Sequence, residues 1–130
     1  MLEPSVRQMI VCDDARVSHG TRGKIDIFGL LNKALAEDFP FNLTFAVYLC
    51  LTNGRGSGSA RVVVKFSEDE SVVYDGTSHA FSFGDNPLAL HPFLIRVFSC
   101  QIPGPGLYSV EFVYNESTLA SCPMLVEKSK

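Results

Sequence analysis

The segment NLTFAVYLCLT, residues 42–52, places Leu43, Phe45, Val47, Leu49 and Leu51 at every second position, with Asn42, Thr44, Ala46, Tyr48, Cys50 and Thr52 between them. Successive side chains of a β-strand point to opposite faces, so this spacing builds a strand with one wholly apolar side. A helix would scatter the same residues around its circumference. The segment therefore reads as a core strand, and the rest of the chain must supply what it packs against.

Two further segments do so. In SARVVVKF, residues 59–66, Ala60, Val62, Val64 and Phe66 alternate with Ser59, Arg61, Val63 and Lys65. In GLYSVEFVY, residues 106–114, Tyr108, Val110, Phe112 and Tyr114 share a face opposite Ser109 and Glu111. Further runs at 7–12, 24–31, 72–74, 79–83, 93–102 and 118–126 complete the set. In FLIRVFSCQI neither parity is clean, because Arg96 shares a face with Leu94 and Phe98. That strand is expected to carry a bulge or to be covered on both sides.

Turn chemistry separates these runs. EDES, residues 68–71, and the pair Asp75-Gly76 link short β segments, and Asp-Gly suits a tight hairpin. Asn115-Glu116-Ser117 would turn the last hairpin. NGRGSGSAR, residues 53–61, reads as a flexible hairpin loop with Arg55 exposed. Only NKALAEDF, residues 32–39, contains helix-forming residues, and its length before Pro40 promises one helical turn at most. The expected fold is all-β: an antiparallel Ig-like β-sandwich of about seven to nine strands. At 130 residues, the chain is expected to form a single domain, 1–130, large enough to bury a sizeable core.

Composition narrows the partners. Hydrophobic residues make up 46% of the chain and charged residues 19%, which argues against disorder and points either to apolar surface left over for a partner or to a dense sandwich core. A net charge of −3 provides no basic field for nucleic acid or anionic lipid. No run approaches transmembrane-helix length, and the start MLEPSVRQMIVCDD sets an acid and a proline where a signal peptide needs a basic region. The expected location is cytoplasmic. Cys12, Cys50, Cys100 and Cys122 are far apart, form no CxxC pair, and sit in strand-like apolar runs. They are expected to be reduced and mostly buried, acting as small hydrophobes.

The stretch PGPGLYSVEF, residues 103–112, reads as a structural corner. Pro103 and Pro105 cannot donate to a ladder, and Gly104 and Gly106 permit unusual dihedrals. Tyr108 points inward early in the following strand, where its hydroxyl could bond back to the corner's backbone as in a tyrosine corner. No helix follows to present an anion site, so a ligand loop is the less favoured reading.

In order along the chain, the strand ending in CDDARV, the GKIDIFGLL strand with Gly29, FPFNLTFAVYLCLT and the terminal PGPGLYSVEF…NESTLASCPMLV hairpin resemble a group of small uncharacterised bacterial domains with an Ig-like sandwich. The resemblance spans nearly the whole chain and implies that fold. It brings no catalytic residues, because none is assigned in the family. The family pattern favours an Asp-Gly turn in the last hairpin, where this chain has Asn115-Glu116-Ser117.

Nothing in the sequence specifies chemistry. NGRGSGSAR lacks the Lys-Ser/Thr step and the helix of a phosphate cradle. Asp13-Asp14 has no further acid or histidine at ligand spacing and reads as a solvated strand end. His19, His79 and His91 are isolated, with LHPF marking a turn before a strand. No G-x-S-x-G elbow is present. The expected protein is not an enzyme and uses no cofactor or metal. It is a module for protein–protein or self-association, most simply a homo-oligomer. The alternative is a small-molecule or carbohydrate binder using aromatics such as Tyr48 or Tyr74.

Overall fold

A computed structural model describes residues 3–17, 24–86 and 88–129. The strands are β1 (Ser5–Val17), β2 (Ile25–Leu30), β3 (Lys33–Ala36), β4 (Phe41–Thr52), β5 (Ser57–Phe66), β6 (Val72–Asp75), β7 (His79–Ser82), β8 (His91–Ile102), β9 (Gly106–Tyr114) and β10 (Ser117–Lys128). They form two sheets. One has the order β2-β1-β4-β8; the other runs β3-β10-β9-β5-β6, with β7 also paired to β5. The architecture is an all-β sandwich, with ten strands among the described residues against the seven to nine expected.

The alternation in residues 42–52 places the core. Leu43, Phe45, Val47, Leu49 and Leu51 are all buried, facing Ala60, Val62 and Val64 of β5 and Tyr108, Val110, Phe112 and Tyr114 of β9. Removing such side chains from water contributes roughly 1.5–3 kcal/mol each, which drives the sheets together. In β8 the inward residues are Ile95 and Val97, then Cys100 and Ile102, so the facing changes around Phe98 and Ser99. Ser99 has φ 55 and the register against β4 shifts there, which is the expected bulge.

A second apolar cluster lies on the outer side of the four-stranded sheet. Cys12, Ala15 and Ala46 are its buried members, with Ile10, Ile25, Ile27 and Leu94 around them. Cys12 and Ala15 are three positions apart, so strict alternation fails between them. Gly29 lies across the ladder at this point, in the left-handed region at φ 67, and a Cβ there would meet the Asp13 carboxylate. The β1–β2 hairpin thus changes facing at Asp13 and Gly29, and Arg96 Nη2 donates to the Ala15 carbonyl at 2.9 Å.

Several local expectations are corrected. Residues 32–39 form no helical turn. Lys33–Ala36 is a strand with Ala34 and Ala36 inward and Lys33 and Leu35 outward, and it pairs in parallel with β10, making that sheet mixed rather than antiparallel. Helix propensity is a weak preference, and the ladder offered by β10 overrides it. Asp75-Gly76 turns no hairpin: β6 and β7 both pair with β5, and the dipeptide interrupts a single edge, with Gly76 N donating to Val62 O. Residues 53–61 are not a hairpin loop either. Residues 53–56 cross from one sheet to the other, and Ser57–Phe66 is already β5. Asp13 and Asp14 lie within β1, not at its end.

Candidate functional site

Residues 103–105 carry the chain from β8 in one sheet to β9 in the other. Tyr108 is 1% exposed, and its hydroxyl donates to Gly104 O at 2.7 Å. Burial pushes this phenol's pKa up. Its ring packs tilted against Phe66, with centroids 5.2 Å apart. Of the two glycines only Gly106 has positive φ, 146°, and a Cβ there would come within 2.6 Å of the Phe66 ring. Gly104 has open space about its Cα and no left-handed φ, contrary to the unusual dihedrals expected of both. Pro103, Gly104, Pro105 and Tyr108 do border a depression of about 310 Å³, shared with Asp69 and Ser71 of the β5–β6 turn. Ser71 donates both N–H and O–H to Asp69 Oδ1, at 2.9 and 2.7 Å, which holds that carboxyl below its usual pKa.

A second concavity of about 310 Å³ opens where the edges of the two sheets meet, between β6 and β8. Tyr74, Thr77, His79, Arg96 and Phe98 contribute to its lining. Arg96 also forms an ion pair with Asp14 at 3.5 Å. Tyr48, the other aromatic of the small-molecule reading, belongs to β4, pairs with Ile10 and Leu94, and does not line this cleft. The structure does not bring the two tyrosines together.

The isolated polar residues stay separate. Asp14 pairs with Arg16 and Arg96. His79 is exposed on β7, and His91 opens β8 with its ring edge-on to Phe83 at 5.1 Å. His19 lies outside the described residues. Among the described residues no group of three or more His, Cys, Asp or Glu is arranged to hold a metal. Arg55 is exposed in the crossing between β4 and β5.

Among the described residues, a contiguous exposed apolar patch lies on the outer face of the mixed sheet. Leu107 of β9 and Leu125 of β10 are directly paired, and Leu35 of β3 lies on the adjoining edge strand opposite Glu127. All face solvent, at 47%, 36% and 59% exposure. Lys33, opposite Leu125, bonds Glu127 at 2.6 Å and borders the patch. Further across, the same face turns charged, with Lys65–Glu111 at 3.2 Å and Arg61 held between Asp75 and Glu116. Apolar leucines are therefore confined to the β3 side. Alternation with Tyr108 already turned Leu107 outward in the sequence; Leu35 escaped notice because its segment read as helical.

No curated protein and no solved structure matches the chain. A family model described as a family of unknown function, DUF6941, matches residues 7–127. With nearly its whole length so matched, the chain belongs to this family of unknown function.

Proposed function

We propose that the protein is a non-enzymatic β-sandwich module that docks another protein surface, a second copy of itself included. The carrying observation is the patch of Leu35, Leu107 and Leu125 on adjacent strands at the open edge of the mixed sheet. Apolar side chains at the centre with an ion pair at the border match the anatomy of a protein interface. The β3 edge, which no strand covers among the described residues, adds backbone groups seeking partners. An Ig-like kinship, a bacterial source and a cytoplasmic location complete the proposal; the sandwich supports the first, and the free cysteines suit a reducing compartment.

Site-specific photo-crosslinking tests the reading. A photoreactive residue at Leu107 or Leu125 should give light-dependent adducts of higher mass in living cells, while the same probe at exposed Arg55 should not. Absence of adducts from both leucine positions and from the same probe at Leu35, on the edge strand itself, would discard the association reading. The cleft beside Tyr74 favours the second reading, a small-molecule binder, because it sets an aromatic ring beside the polar Thr77, His79 and Arg96.

A further inference from the structure

We propose that the β3 edge bordering this patch pairs with a second copy of the chain, antiparallel β3 to β3 about a two-fold axis at Leu35. The inference rests on the association reading above and specifies its occupant. Leu125 N donates to Asn32 O and Ser129 N to Ala36 O, so the even-numbered peptides of β3 turn towards β10. Lys33 and Leu35 then present their N–H and C=O groups to the other side, where no strand pairs with β3 among the described residues. A two-fold axis beside Leu35 lets the two Leu35 residues exchange N–H···O=C bonds, the hydrogen-bonded pair of an antiparallel ladder.

The side chains fit the same axis. Exposed and buried residues alternate along β3, with Lys33 and Leu35 exposed and Ala34 and Ala36 buried, and exposed Glu37, at the bend one residue past the strand, continues the alternation. Antiparallel pairing centred on Leu35 sets Lys33 of one copy opposite Glu37 of the other, and the reverse. KALAE is thus charge-complementary to itself in this orientation; a parallel arrangement would oppose like charges. The contact is isologous, as closed two-fold dimers require. It also joins the Leu35, Leu107 and Leu125 patches of both copies into one apolar band across the axis. So short a strand makes a small contact, and the dimer is accordingly a weak one.

Sedimentation velocity on the purified full chain, from micromolar to near-millimolar concentration, tests this. Wild type should dimerise reversibly, with Lys33→Glu alone and Glu37→Lys alone each weakened about tenfold or more, because each apposes like charges at both symmetric positions. An equimolar mixture of the two variants should recover dimer, since one copy then presents acids and the other bases. Hydrogen exchange should show the Leu35 amide becoming protected as wild-type concentration rises. Dimerisation of each single variant at wild-type strength, or an unprotected Leu35 in the dimer, overturns this site. A monomeric wild type that still crosslinks to other proteins through Leu107 overturns the second copy as occupant while preserving the association reading; a monomer without adducts ends both.

Discussion

Two tyrosines of β9 separate packing from hydrogen bonding at the residue scale. Tyr108 and Tyr114 share the inward face, and each is 1% exposed. The Tyr108 hydroxyl bonds Gly104 O, whereas the Tyr114 hydroxyl is buried with no hydrogen-bond partner among the described residues, close to Gly58 and beside the Phe83 ring. A buried hydroxyl stabilises only when its bond is made; unpaired, it retains the cost of leaving water. Tyr108→Phe should therefore lose about 1 kcal/mol, and Tyr108→Ala about 3 or more through the added cavity. Tyr114→Phe should be neutral or stabilising. Urea unfolding of the variants checks the ordering, and a Tyr108→Ala protein as stable as wild type would mean the corner is a functional loop instead of scaffold. Period-two spacing showed that both rings point inward, and the Tyr108 hydroxyl bonds a backbone carbonyl four residues away, but the rings' packing neighbours, Phe66 and Phe83, come from distant segments.

The corner and the hairpins make a similar point for whole elements. Gly106→Ala should destabilise by about 1–3 kcal/mol, because a side chain there would adopt φ 146 and press on Phe66. Gly104→Ala, with free space and an ordinary φ, should stay within about 0.5 kcal/mol of wild type. Thermal melts of the pair distinguish a strained crossing from a generally glycine-dependent one. Local turn chemistry was legible at the final hairpin, where Asn115 and Glu116 take φ 48 and 67 between paired Tyr114 and Ser117. It misled at Asp75-Gly76, because a strand break and a hairpin use the same dipeptide, and the choice depends on β5 continuing past both β6 and β7. The identity of β3 was hidden for the same reason, since its pairing strand lies at the far end of the chain.

For the whole molecule, the thiols report how tightly the sandwich closes. All four cysteines are free; Cys12, Cys50 and Cys100 are buried and Cys122 is half-buried. Burial pushes the Cys100 thiol from 9.0 up to about 11 and also raises Cys12 and Cys122, Cys12 with help from Asp14 and Asp13. Below pH ~9 both folded and unfolded chains keep these protons, so the thiols add no pH dependence. Above it the unfolded chain releases them first, and stability should fall as pH rises, by about 2–3 kcal/mol from Cys100 alone at pH ~11. Denaturant midpoints across pH 8–11 check this; a flat profile would show Cys100 in contact with water. Without reductant, alkylation should modify all four thiols after denaturation and spare Cys100 in the native protein at neutral pH. The sequence by itself determined the strand class, the apolar faces of β4, β5 and β9, the break of alternation in β8 and the inward tyrosines, because alternation is a local property of the chain; that the break is a bulge was decided by the pairing with β4. Tertiary structure alone decided the parallel β3–β10 pair, the split of β6 from β7, the kink at Gly29 and the exposed leucine patch. Each depends on which distant strand supplies the next row of hydrogen bonds, and no local pattern encodes that choice.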